Sequence, residues 1–273
     1  MSDVCGLCGL QRELKKSHFL SAGLFKAVSR GYAPYDPAPV LVNVKNETAV
    51  QSNFQSKKKF LCAECERRFD EGGEKNVIRN CFRDNGKFEL REQLETRTPS
   101  LTNANRRVWF GNLLDEEFRA ATFVYFAISI IWRASATEWP GDTGVEPGFL
   151  SRDLDEGCRE FLLGSAPLPK SIDVLVHVNF DRPPTAFLSF PTREQVDLTG
   201  IPLMSYIFHI PGVRFVVLEG SDIAATRLPG LSAALGYPTF FEWHMNGTQM
   251  YEHLVRKVAS TSAKGKLRSK SGP

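Results

Sequence analysis

The sequence predicts an α+β protein: a small zinc-bound N-terminal domain, then a larger domain in which helices come first and antiparallel strands after. Three observations carry this. Two Cys-x-x-Cys pairs, Cys5-Gly-Leu-Cys8 and Cys62-Ala-Glu-Cys65, frame the first quarter of the chain. An apolar pattern recurring at three and four residues covers Leu113 to Thr137. From Ile172 on, runs of strong β propensity appear, and Pro211-Gly212 separates two of them.

The composition is that of an ordinary globular protein, with 42% hydrophobic and 24% charged residues in a length of 273. A net charge of +3 suits a nucleic-acid binder and a neutral enzyme equally. No basic segment followed by an apolar one opens the sequence, so no secretory leader is expected. The longest apolar stretch, Ala120 to Ile131 with Thr122 and Ser129 inside it, is too short to span a bilayer and reads as a core helix. The expectation is a cytoplasmic protein with reduced thiols.

Taken in order, residues 1–90 form the cysteine-framed domain. Two residues between sulfurs let one tight turn present both to a single ion, so Cys5, Cys8, Cys62 and Cys65 are the predicted ligands of a structural zinc. Gly6 and Gly9 stand where the backbone of such a turn must approach sulfur. The alternative is a pair of disulfides or four unrelated buried thiols. Cys81 and Cys158 have no such partner and read as small buried hydrophobes. Residues 31–39 hold three prolines and must be a loop. Val40 to Val44 reads as a strand. A helix is expected from Glu66 to Glu71, with Gly72-Gly73 weakening or ending it. A soft boundary falls within 86–112, around Thr96 to Ser100.

Residues 100–258 form the second domain. Asp115, Glu116 and Glu117 are expected in the first turn of the Leu113–Thr137 helix, where acids complement the helix dipole, with Asn112 or Asp115 as cap. Ser151 to Leu163 is a second helix, stopped by Gly164. Strands follow at Ile172–Val178, Ala186–Phe190, Met204–Ile210 and Val213–Leu218, the last two joined by the Pro211-Gly212 hairpin. Residues 259–273 read as a disordered basic tail. This domain shows no catalytic set: His177, His209, His244 and His253 lack ligand spacing, and Arg133, on the apolar helix, is expected to pair with Asp155 or Glu156. No Gly-rich nucleotide loop and no Gly-x-Ser-x-Gly elbow is present.

Cys5-x-x-Cys8-Gly9, then Ser17-His18, then Leu61-Cys62-x-x-Cys65-Glu66 resembles the zinc-stapled branch of the HNH endonuclease superfamily, the ββα-metal fold. The resemblance covers about residues 1–80. Ser17-His18, the Leu-Cys-x-x-Cys-Glu segment and Trp132-Arg133-Ala134 also resemble an uncharacterised bacterial subgroup with those motifs. The resemblance implies a ββα domain in which His18 is the general base that activates water for attack on a phosphodiester. It places the second, catalytic cation on the helix after the second cysteine pair. There Glu66, Asp70 and Glu74 stand at i, i+4 and i+8, on one face of an unbroken helix. Carboxylate oxygens favour magnesium or manganese for that site. The two glycines either end the helix before Glu74 or swing it into the site. Four features depart from the family pattern: Ser17 stands where an acid or histidine is usual, Glu66 stands where an asparagine or histidine is usual, the two cysteine pairs are far apart with the Pro-rich insertion 31–39 between them, and the middle asparagine is open among Asn43, Asn46 and Asn53. Structurally, His18 would instead be a packed histidine beside Phe19 and Leu20, and the acids a solvated face paired with Arg67, Arg68 or Lys75.

Basic residues gather around this region. Lys15, Lys16, Lys57, Lys58, Lys59, Arg67 and Arg68 are the candidate nucleic-acid contacts, with Arg12, Lys26 and Arg30 nearby, engaging phosphates without reading sequence. The leading expectation is a metal-dependent endonuclease acting on nucleic acid, DNA ahead of RNA. By association it belongs to bacterial defence or a mobile element, and the C-terminal domain meets a substrate or protein partner. The alternative is a non-catalytic zinc module that binds nucleic acid or a protein. A third expectation is a regulatory subunit active only in a complex.

Overall fold

The computed structural model describes residues 3–29, 40–43, 46, 48–83, 86–103, 106–141, 143–184, 186–198, 201–220 and 236–264. The Pro-rich segment 31–39, Arg30, Val44 and residues 265–273 of the expected tail lie outside them. In chain order the elements are β1 (Asp3–Val4), β2 (Gln11–Arg12), β3 (Leu14–His18), α1 (Ala22–Ser29), β4 (Val40–Asn43), β5 (Thr48–Gln51) and β6 (Lys57–Cys62). Next come α2 (Ala63–Phe69), a π turn (Asp70–Glu74), α3 (Lys75–Asn80), α4 (Glu89–Glu95), β7 (Leu101–Asn103) and β8 (Arg106–Phe110). The remainder is α5 (Ala121–Ala136), α6 (Arg152–Leu163), β9 (Ile172–Asn179), β10 (Ser189–Leu198), β11 (Ile201–Ile210), β12 (Val213–Glu219), β13 (Thr239–Trp243), α7 (Gln249–Ala259) and β14 (Ser262–Lys264). The class is α+β, as the sequence predicts.

Helix α5 is the axis of the molecule. It is buried on nearly every side, from Phe123 to Ser135, rather than along one stripe. On one side it meets the π turn and α3, on another α6, and on a third β9, β10 and β12. Trp132 lies between Phe60 and Phe69 of the N-terminal part, with ring centroids 5.7 and 6.2 Å away. Phe126 and Phe123 reach the sheet at Phe215 (5.4 Å) and Phe240 (5.2 Å). One buried cluster therefore runs from Cys5 to Phe240, through both stretches that the sequence divides near residue 95.

The helix begins later than its apolar pattern does. Leu113 belongs to one 3-10 turn, and Glu116–Phe118 forms another, capped by the Asp115 carboxylate at the Phe118 N–H. Arg119 then takes a positive φ of 55°, which an α-helix cannot include. The acidic trio thus caps and fills a short turn, not the first turn of α5. Helix α6 follows expectation, with Ser151 accepting from the Leu154 N–H and Gly164 closing it at φ 74°.

Among the described residues the large sheet has seven strands in the order β10-β11-β12-β9-β13-β8-β7. Neighbours are antiparallel except β9 and β13, which are parallel. Gly212 at φ 77° makes the β11–β12 hairpin. Alternation sends Val174, Val176, Val178, Phe208, Phe215 and Val217 into the core. The opposite face carries a small cluster of Leu203, Val216 and Leu218. Strands β7 and β8 lie within the soft boundary 86–112, where the sequence marks no strand. Strand β14, within the expected tail, pairs in parallel with β5.

Candidate metal centre

The first cysteine pair is held by a turn over residues 6–8. The Gly9 N–H donates to the Cys5 carbonyl at 2.9 Å, and the Cys5 N–H donates to Leu10 at 3.0 Å. Gly9 sits at φ 70°, and a Cβ on Gly6 would lie 2.2 Å from the Phe60 ring, so both positions require glycine. The second pair straddles a junction. Strand β6 ends at Cys62, and Cys65 lies in the first turn of α2. The Cys62 N–H points at Cys5 Sγ, 3.3 Å away. From α6, Arg159 donates to the Leu7 carbonyl between the first two cysteines (2.9 Å).

The four Sγ atoms all lie within 4.8 Å of one another, and Cys8 and Cys62 are 4.0 Å apart. A tetrahedron with metal–sulfur bonds of about 2.3 Å has corners about 3.8 Å apart. The set therefore fits one ion, and all six cysteines are free, with no disulfide. Burial pushes the Cys65 and Cys8 thiols up. Burial also acts upward on Cys62, but hydrogen bonds from Cys65 and the other thiols outweigh it and bring this thiol to about 7. Packed thiolates without a cation are unfavourable, and a bound ion removes that cost. Cys81 and Cys158 are buried singly, as expected, each raised by burial to about 12.

His18 ends β3, opposite Lys57 of β6. Its ring is partly buried. Burial and the Lys57 charge lower its pKa against Glu66, a Gln55 hydrogen bond and Glu74, which act the other way. Neutral imidazole is thus its form near pH 7. Its backbone carbonyl accepts from Arg133 at 2.9 Å.

The three acids part company. Glu66 accepts from the buried Ser17 hydroxyl. Asp70 is exposed and does not figure among the groups acting on His18. Glu74 forms an ion pair with Arg133, whose side chain is 3% exposed. The π turn explains the split. Four residues of α-helix overshoot a full circle by about 40°, so Glu74 would stand two such steps round from Glu66. A π turn needs more residues to close. The second step falls short of a circle and brings Glu74 back towards the Glu66 side. The helix neither ends at Gly72-Gly73 nor runs unbroken. Among the described residues, the cysteines are the group of three or more potential ligands gathered within 4.8 Å, and His18, Glu66, Asp70 and Glu74 do not make another.

Sequence reasoning missed Arg133 here. Its partner is Glu74, not Asp155 or Glu156, and Glu156 binds Arg159 instead. Arg133 also donates to Phe19 and Ser129, and its guanidinium lies 4.7 Å from the Phe69 ring. The basic residues also separate. Lys58 holds Thr137 and the Glu138 carbonyl after α5, Arg68 holds the Leu163 carbonyl, Arg67 pairs with Glu71 and Lys15 with Glu13. Lys16, Lys57 and Lys59 are exposed on the β3–β6 pair that carries His18. No helix among the described residues is long and apolar enough to cross a membrane.

Compared with protein-family models, with curated proteins and with solved structures, the chain gives no match.

Proposed function

We propose that the N-terminal region is a metal-dependent endonuclease centre of the HNH type, stapled by zinc on Cys5, Cys8, Cys62 and Cys65. One observation carries the reading: a neutral imidazole, His18, ends the strand whose other end, Leu14, pairs with Cys62, and it lies within the field of Glu66 and Glu74 from the segment after β6. In this reading His18 takes a proton from water as it attacks phosphorus, and Ser17 orients Glu66. Glu66 is the acid with which this chain would hold a magnesium or manganese ion, since Glu74 is committed to Arg133 and Asp70 faces solvent. Such an ion supplies charge neutralisation for the scissile phosphate and leaving oxygen. Lys16, Lys57 and Lys59 would hold the nucleic-acid backbone, DNA ahead of RNA.

A second reading is a non-catalytic zinc module that binds nucleic acid or a protein. It is favoured by the structural partners that Ser17 and Arg133 already give to Glu66 and Glu74. One experiment separates the two. Plasmid and single-stranded DNA are incubated with the protein in magnesium, manganese or EDTA, beside His18→Ala. Cleavage that needs the metal and vanishes in the variant supports the nuclease. Binding without cleavage in either protein establishes the second reading.

A further inference from the structure

The face of the seven-stranded sheet turned away from α5 carries three cation-forming side chains in a row. Arg214 of β12 stands directly opposite His177 of β9 on one side and His209 of β11 on the other. Residues paired this way project from the same face and touch. Arg214 makes no hydrogen bond or ion pair among the described residues. Its Nε atom is buried without a partner, and so is Nε2 of His209.

One tautomer of His209 makes that orphan atom a donor. Ser189 Oγ accepts the His209 backbone N–H at 3.0 Å and lies 3.0 Å from Nδ1 of the same residue. With one lone pair taken by that N–H, the hydroxyl still has its proton to give to Nδ1, and in the tautomer this selects the ring carries its own proton on Nε2. Arg214 Nε and His209 Nε2 are thus two buried nitrogens without a partner among the described residues, on neighbouring strands of one patch. Aromatic rings wall it. Phe187 lies 4.4 Å from the His209 ring, Phe241 5.3 Å from His177, and Trp243 6.2 and 6.4 Å from His209 and His177. Burial lowers the proton affinity of all three basic groups, the Arg214 charge lowers that of both histidines further, and Glu194 acts the other way on Arg214. Buried polar groups are normally satisfied, and a cluster of orphan donors calls for an acceptor from outside.

We propose that Arg214, His177 and His209 form an oxyanion site that takes a phosphate group. The guanidinium fork matches two phosphate oxygens, and the flanking imidazoles reach the others, which a carboxylate does not have. The aromatic walls suit a phosphate ester whose planar body stacks on them. None of the residues of the metal centre contributes.

The test uses the full chain at pH 7 and constant ionic strength. Inorganic phosphate and adenosine 5′-monophosphate are titrated calorimetrically against a chloride control. Saturable binding of either is expected, with a rise in melting temperature. Tighter binding of the ester assigns the walls to its base, and equal binding assigns the site to phosphate itself. Arg214→Met should weaken binding roughly tenfold or more yet melt no lower than the wild type without ligand, because an unpaired buried cation is gone. His209→Phe removes the Nε2 donor and gives a second reading should Arg214→Met fail to fold. Absence of saturable binding by the wild type, or undiminished binding by both variants, overturns the site.

Discussion

The buried Ser17 hydroxyl donates to the Glu66 carboxylate and accepts the Leu61 N–H at 3.1 Å. The second bond is needed because the β3–β6 ladder slips between Lys15 and Lys16, which pair with Leu61 and Lys59. At that bulge the hydroxyl takes the place of a strand carbonyl. Ser17→Ala should therefore cost about 1–3 kcal/mol, the penalty of a buried N–H left without an acceptor. Urea unfolding of the two proteins measures it. Ser17→Thr keeps the hydroxyl and should recover part of the loss, and equal stability of serine and alanine variants would refute the role.

The cysteine cluster joins strand β6 to the loop after β1, so an ion held there would contribute to folding directly. One metal ion per chain is expected by elemental analysis. Cys62→Ser should lower that figure and the melting temperature together. Ligands must be deprotonated to bind, so acidification should release the ion, and a pH titration of retained metal should follow the loss of folded signal. Full metal content in Cys62→Ser would show that the ion sits elsewhere.

Arg133 ties two segments to α5: the π turn through Glu74, and the end of β3 through the carbonyls of His18 and Phe19. Removing one partner of a buried pair leaves the other charge stranded, so Glu74→Gln should cost about 3–5 kcal/mol. The Glu74→Gln, Arg133→Met double variant should lose less than the sum of the singles. Additive losses in a double-mutant cycle would mean that the two side chains are not coupled.

What was legible in the sequence is what local chemistry decides. The spacing of Cys5, Cys8, Cys62 and Cys65 marks their cluster, Ser151 and Gly164 bracket α6, and Pro211-Gly212 marks the β11–β12 turn. What was not legible depends on distant neighbours. The spacing of Glu66, Asp70 and Glu74 does not show the π turn that returns Glu74 to the Glu66 side and leaves Asp70 in solvent, and the close contact of Gly72 and Gly73 with α5 is invisible from their own segment. Arg133 finds an acid 59 positions earlier, not one nearby in the sequence. Strands as short as β7 and β14 carry too few residues to show alternation and exist because β8 and β5 offer them an edge.

The π turn lies so close to α5 that a Cβ on Gly73 would meet the Phe126 nitrogen at 2.8 Å and the Thr122 carbonyl at 2.9 Å. Both are helix backbone and cannot step aside. A Cβ on Gly72 meets only the Tyr125 ring, at 2.6 Å. Gly73→Ala should cost about 1–3 kcal/mol or more through overpacking. Gly72→Ala should cost less, since a ring can turn and a backbone cannot. The reverse order in thermal melts would contradict this packing.

The outer sheet face should make the protein acid-sensitive. Burial, aided by the Arg214 charge, lowers His177 and His209 from 6.5 to about 3. Between those values the unfolded chain binds protons that the folded chain refuses. Stability then rises with pH across the window: it is complete above about 6.5 and is lost as pH falls towards 3. Each histidine contributes a slope of up to about 1.4 kcal/mol per pH unit. Urea unfolding between pH 7 and 4, in chloride and without phosphate, measures that slope. Thiol protonation adds to it in both proteins, so the informative quantity is the difference between wild type and His177→Gln. A shallower slope in the variant, by nearly one proton, is expected, and parallel curves would mean that His177 takes up its proton freely in the folded state.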